Sequence, residues 1–133
     1  MNNSLNLKNK TFLTRSTNLG EVYLFDNYII TNFNEGVDID YANFNEVRDI
    51  IKNHFEERPF GFIADRKNSY SINLNDANRF NISFPNLKAY AIVVYNSLTE
   101  RVFEIENRFF TFNRQAFKSI EDAIDWVEQN LPH

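Results

Sequence analysis

Apolar and polar residues follow a strand-like pattern in the first quarter of this chain. The segments 11–17, 21–25 and 28–33 are rich in β-branched and aromatic residues and predict three strands. Asp26 and Asn27 separate the last two segments, and both residue types tolerate the positive φ of a tight turn. The start of the chain therefore predicts a β-hairpin.

Helices and strands alternate in the rest of the sequence. Phe44, Val47, Ile51 and Phe55 recur at intervals of three and four, which predicts a helix from about Ala42 to Glu57 that ends before Pro59. The remaining segments predict a short buried strand at 59–64, an irregular helix at 73–84, the strongest strand at 88–96 and a last short strand at 114–117.

Two further helices carry recognisable start signals. Ser97 and Glu100 form a capping box, and the apolar residues that follow share one helical face, namely Leu98, Val102, Ile105 and Phe109. Ser119 is a favourable N-cap for the final helix, whose apolar face consists of Ile120, Ala123, Ile124, Val127 and Leu131.

The alternation predicts an α/β fold with a largely parallel sheet, whose right-handed crossovers put successive helices on one face. The strand "AYAIVVY" at 89–95 is nevertheless apolar at both parities, as in a strand buried on both sides. We expect the N-terminal hairpin to cover part of the second face and a second copy of the chain to cover the rest, as a homodimer. The 14 Phe residues either fill the core or partly reach an exposed patch or cleft.

Length and charge limit the classes of protein. A chain of 133 residues fits one domain, which we place at 11–133 behind a flexible polar arm at 1–10. The net charge of −4 disfavours nucleic-acid binding, because backbone binders place cations against phosphates. The first ten residues have no apolar h-region, the longest apolar run at 89–95 is too short for a membrane span, and the lack of Cys is compatible with a reducing compartment, so we expect a cytoplasmic protein.

Several stretches resemble bacterial proteins of the SpoIIAA-like, STAS/SEC14-type family, whose members are largely uncharacterised. The resemblance covers the chain from about Leu19 and rests on "LGEVYLFDNYII", "NEGVDI", "RPFGFIADRKNSYSI", "PNLKAYAIVVYN" and "SIEDAIDWV". It implies a β-α superhelix of STAS type, a cytoplasmic location and a role in binding or regulation.

In the better-understood members of that family, a Ser in an Asp-Ser-Ser/Thr-Gly turn is phosphorylated and switches partner binding. Asp65 matches the Asp of that turn, but Arg66 stands where the phosphorylated Ser would be, and no Gly follows. The resemblance therefore does not transfer the phosphorylation switch to this chain, and it assigns no such role to Ser69 or Ser71.

The polar turn after the strand at 59–64 is the candidate binding site. Sites of open α/β sheets lie outside the carboxyl ends of strands, and this turn offers an arginine fork, an amide, hydroxyls and an aromatic ring for a partner or ligand. The candidate residues are Asp65, Arg66, Asn68, Ser69 and Tyr70. The alternative is that Asp65 and Asn68 shape the turn while the basic residues are solvated.

Signals for catalysis and metal binding are weak. His54 lies near the apolar stripe of the first predicted helix, which favours a partly buried structural histidine over a general base. The three Gly residues are far apart, so no phosphate loop is indicated. Glu35, Asp38 and Asp40 suggest calcium, but acidic residues before a helix more often act as caps.

These observations predict a non-enzymatic regulatory module that binds an unidentified protein partner and has no catalytic residue, metal or cofactor. The alternative is a protein that binds a small apolar ligand or a lipid, suggested by the SEC14-type part of the resemblance and by the abundance of Phe.

Overall fold

The computed structural model describes residues 11–132, so the expected flexible arm at 1–10 lies outside the described residues. The strands are β1 (Leu13–Ser16), β2 (Gly20–Leu24), β3 (Tyr28–Phe33), β4 (Asp38–Ile39), β5 (Phe60–Asp65), β6 (Ser71–Ile72), β7 (Leu87–Val93) and β8 (Arg114–Phe117). The helices are α1 (Asn45–Phe55), α2 (Ala77–Ser83, after a 3-10 turn at Leu74–Asp76), α3 (Ser97–Glu106) and α4 (Ile120–Gln129). None of the helices within 11–132 combines the length and the apolar character that a bilayer crossing requires.

The main sheet has the order β1-β2-β3-β5-β7-β8. Its last four strands run parallel, and β1 and β2 extend it by antiparallel pairing. The amide of Phe25 donates to the carbonyl of Tyr28 at 2.9 Å and closes the β2–β3 turn at Asp26 and Asn27. The predicted α/β class, the mostly parallel sheet and the N-terminal hairpin are therefore confirmed.

The first three helices lie on one face of the sheet, as their position between parallel strands predicts. Val47, Ile51 and Phe55 of α1 share one core cluster with Phe80 of α2 and Phe103 of α3. The predicted apolar stripe of α1 is therefore confirmed.

The prediction that the hairpin and a second copy cover the other face is wrong. The hairpin lies in the plane of the sheet, and α4 covers that face by packing Ala123, Ile124 and Val127 against β5 and β7. A Cβ at Gly61 of β5 would overlap the side chain of Val127, so glycine permits the close approach of α4.

Helix α4 follows the last strand and connects no strands, so the crossover rule does not fix its side. The double burial of β7 gives no reason for a dimer, and dimerisation stays a prediction.

The helix caps differ from the prediction at one of two positions. Ser119 caps α4, since its Oγ accepts a hydrogen bond from the amide of Asp122 at 3.1 Å. The N-cap of α3 is Asn96 and not Ser97: its Oδ1 accepts from the amide of Thr99 at 2.8 Å. Asn and Ser are about equally good caps, so local sequence alone did not decide which residue begins this helix.

Candidate functional site

The turn at residues 66–70 lies at the carboxyl edge of the parallel strands. It begins directly after Asp65, the last residue of β5, which pairs with β3 on one side and with β7 on the other. The sequence places the turn at this edge, and the structure agrees. Its side chains, however, are used within the protein to a large extent.

Arg66 does not present an open fork to solvent. Its Nη1 donates to both carboxylate oxygens of Glu106, at 2.9 and 3.1 Å, and its Nη2 donates to the carbonyl oxygen of Tyr70 at 2.8 Å. The guanidinium carbon lies 4.3 Å from the centroid of the Tyr70 ring. Arg66 and Tyr70 thus come together, but to form an internal contact.

A second arginine completes a buried cluster of charges. Arg114 of β8 donates from Nη2 to Glu106 Oε1 at 3.1 Å and from Nη1 to Asn107 Oδ1 at 3.0 Å. The side chains of Arg66, Glu106 and Arg114 are 3%, 3% and 1% exposed. Two guanidinium groups therefore share one carboxylate in the interior, and we call these three residues the charge triad.

Sequence reasoning missed Glu106 and Arg114. One signal was available, because Phe103, Glu106 and Phe110 follow one another at intervals of three and four and so share a helical face. The structure buries all three, Phe103 and Glu106 on α3 and Phe110 just beyond the turn that follows the helix.

Asn68 and Ser69 hold the turn against the end of β3 and the segment that follows it. The side-chain amide of Asn68 donates to the carbonyl of Phe33 at 2.9 Å, and the amide of Ser69 donates to Glu35 Oε1 at 2.8 Å. The amide of Gly36 donates to the carbonyl of Ser69 at 2.7 Å. These contacts agree with the alternative interpretation, in which polar residues shape the turn.

Asp65 points to the other face of the sheet from Arg66, because side chains alternate along a strand. It accepts a hydrogen bond from the hydroxyl of Tyr95 at 2.6 Å, and the ammonium of Lys67 lies 3.7 Å away. Burial raises the pKa of Asp65 despite both of these contacts. Burial and the bond to Asp65 also raise the pKa of Tyr95, which keeps its hydroxyl protonated as a donor.

The predicted apolar face of α3 does not meet the core. Leu98, Ile105 and Phe109 are 68%, 47% and 46% exposed, and Val102 between them is half-buried. An apolar helical stripe normally packs inward. Here α3 is turned so that Phe103 and Glu106 face inward and the stripe faces outward. The four stripe residues form what we call the α3 patch, in which Phe109 lies in the turn that follows the helix.

An apolar cavity lies between the sheet and helices α1 and α2. Its volume is about 50 Å³, and fourteen side chains line it, eight of them Phe. Tyr70, Tyr90 and Phe110 connect its wall to the charge triad: Arg66 stacks on the first ring, and Arg114 lies over the other two. Of the 14 Phe residues only Phe109 is exposed, so most of them fill the core and this cavity wall.

The remaining candidate residues have internal partners. Asp38 Oδ1 accepts from the hydroxyl of Ser71 at 2.8 Å, and Asp40 Oδ1 accepts from the amide of Asn43 at 2.7 Å. No group of three or more His, Cys, Asp or Glu side chains in residues 11–132 is arranged to hold a metal ion. His54 is half-buried with its Nε2 2.8 Å from the carbonyl oxygen of Phe25, so its interpretation as a partly buried histidine is confirmed.

The fold has a counterpart among solved structures. An uncharacterised protein of the DUF3478 family with a SpoIIAA-like fold, from Shewanella loihica PV-4, matches with a TM-score of 0.53 over 93% of this chain and 98% of that one. At 14% identity this likeness shows a SpoIIAA-like fold and no activity. No protein-family model matches the chain, and no curated protein matches it.

Proposed function

We propose that this protein is a non-enzymatic cytoplasmic interaction module that binds a protein partner through the α3 patch. The observation that supports the proposal is the outward orientation of an apolar stripe, which runs along one face of α3 and continues to Phe109 in the turn after the helix. An exposed contiguous apolar patch on a small domain often marks an interaction site.

The polar border of the patch indicates the kind of partner. Arg101 and Arg108 are both exposed, on α3 and in the turn that follows it, and helical spacing puts them on one side of the apolar stripe with the exposed Glu104 between them. An amphipathic segment with acidic residues beside its apolar face would complement them. The patch runs along about three helical turns, which is small against the roughly 800 Å² per partner of a stable complex. We therefore expect a transient, regulated contact.

A matched pair of substitutions tests this proposal. Ile105→Glu places a charge in the centre of the α3 patch, and Ile82→Glu places the same charge on α2, at a side chain that is 78% exposed. Partner capture from the native host should be lost with Ile105→Glu and retained with Ile82→Glu, at equal thermal stability. Equal capture by both variants would refute the proposal. Light scattering of the pure protein at high concentration tests whether a second copy is the partner.

The apolar cavity favours a second candidate function, the binding of a small apolar ligand. Its wall is built from Phe, Ile, Leu and Tyr side chains, the composition common in ligand pockets. A volume of about 50 Å³ suits a small molecule rather than a whole lipid. Native mass spectrometry of the protein purified from its host should show a bound compound of low mass. Leu87→Phe, which fills the cavity from its wall, should abolish the binding of that compound.

A further inference from the structure

We propose that residues 109–112 form a strap that opens to admit a ligand to the apolar cavity, and that Asn81 latches this strap shut. The inference rests on the second candidate function above and concerns how the entry of that ligand is controlled. Three features support it: a closed cavity wall, two Phe rings that the strap contributes to this wall, and a side-chain amide that holds the strap in place.

The wall of the cavity contains no exposed side chain. Nine of the fourteen lining side chains are buried, and the other five are half-buried. Protein interiors are close-packed, so a ligand cannot pass between side chains of this kind while they stay in place. Entry to the cavity therefore requires part of its wall to move.

The strap is the part of the wall best suited to move. It lies between α3 and β8 and belongs to neither a helix nor a strand. Backbone hydrogen bonds fix its two ends: the amide of Phe109 donates to the carbonyl of Glu106 at 2.9 Å, and the amide of Tyr90 donates to the carbonyl of Asn113 at 2.8 Å. The strap can therefore swing between two fixed points without disturbing α3 or β8.

The strap places two aromatic rings in the cavity wall. Phe110 is buried, and Phe112 is half-buried at the margin of the cavity. Their rings are stacked, with centroids 6.4 Å apart. Outward movement of the strap would carry both rings away from the apolar space and open it.

Asn81 of α2 holds the middle of the strap through both groups of its side-chain amide. Its Nδ2 donates to the carbonyl of Phe109 at 3.0 Å, and its Oδ1 accepts from the amide of Thr111 at 3.0 Å. Asn81 is half-buried, so water can replace both hydrogen bonds when the strap opens, and the net cost of release is modest. Such a latch suits the microsecond-to-millisecond opening that is common in lids.

Xenon is the probe, because it is a single apolar atom that apolar protein cavities bind. Heteronuclear NMR of the full chain under xenon pressure should show shifts at the methyl groups of Ile51 and Leu87, which line the cavity. Relaxation dispersion on the wild-type protein then measures the exit rate of xenon at these methyl groups and the opening rate of the strap at the amide of Thr111. Xenon should not leave faster than the strap opens.

Variants locate the latch. Asn81→Ala removes both hydrogen bonds and should raise the exit rate of xenon at least about tenfold, and Asn81→Asp, which loses the donor to Phe109, should raise it about fivefold. Asn78→Ala, at an exposed position of the same helix, should leave the rate unchanged. Leu87→Phe should abolish the xenon shifts, which would place the xenon in this cavity.

The outcomes separate the strap from the ligand-binding function. Xenon that leaves faster than the strap opens, or at an unchanged rate in Asn81→Ala, would refute the strap and leave the apolar-ligand function standing. Faster exit in Asn68→Ala alone would place the entrance at the 66–70 turn and would also refute the strap. A lack of xenon shifts in the wild-type protein would refute both proposals. Because the wild-type rates decide the matter alone, the test stays valid if the Asn81 variants fold poorly.

Discussion

Replacing Glu106 by glutamine should be among the most destabilising isosteric changes in this domain. The carboxylate accepts Arg66 Nη1 at 2.9 and 3.1 Å and Arg114 Nη2 at 3.1 Å, with all three side chains at most 3% exposed. Glutamine keeps one acceptor oxygen but removes the charge, which leaves two buried guanidinium groups without a counterion. Removing one partner of a buried ion pair typically costs about 3–5 kcal/mol.

Urea denaturation at neutral pH measures this loss. With a denaturant slope of about 2 kcal/mol/M, a loss of about 4 kcal/mol lowers the midpoint by about 2 M. Glu104→Gln is the matched control, since Glu104 lies two residues before Glu106 in α3 but is exposed. Its effect should stay within about 0.5 kcal/mol.

A loss below about 1 kcal/mol for Glu106→Gln would refute the reasoning. It would mean that the aromatic rings around the two guanidinium groups, those of Tyr70, Tyr90 and Phe110, already compensate their charge. Combining the change with Arg114→Met checks the same argument from the other side, because removing one excess cation should recover part of the lost stability.

Three further predictions concern single positions. Burial raises the pKa of Asp65 above its ordinary 3.8, so the folded state binds this proton more tightly than the unfolded state does. Wild type should therefore lose stability relative to Asp65→Asn as the pH rises above 3.8. The urea midpoints of the two proteins at several pH values measure this loss. Asn96→Ala should lower the free energy of unfolding by about 1 kcal/mol and Ser97→Ala by much less, because the first residue caps α3; the reverse order would contradict the observed cap. Gly61→Ala should cost about 1–3 kcal/mol in the same assay by forcing α4 away from β5, and combination with Val127→Ala should restore part of that loss.

Local patterns were sufficient to predict most of the elements. The strands of the hairpin, the stripe of α1 and the Ser119 cap depend on residues within a few positions of one another, and each is confirmed. The position of the 66–70 turn also followed from sequence, because a turn after a buried parallel strand must lie at its carboxyl edge.

Contacts between distant parts of the chain were not predictable in the same way. Glu106 lies 40 residues from Arg66, so no periodicity links them. A lone Glu in a helix is normally solvated, which hid its burial. The side of the sheet taken by α4 was missed because the handedness rule applies only to helices that connect parallel strands.

The charge triad also explains why α3 exposes its apolar stripe. The helix has two faces that could pack inward: the stripe beginning at Leu98, and the face of Phe103 and Glu106, which Phe110 extends just beyond the helix end. Turning α3 to bury the stripe would expose two Phe side chains, each worth about 1.5–3 kcal/mol when fully buried, so the apolar terms nearly cancel. This rotation of α3 would also separate Glu106 from Arg66 and Arg114, which would cost about 3–5 kcal/mol of stability. The ion contacts therefore decide the orientation of the helix, and the apolar surface offered to a partner follows from the buried charges beneath it.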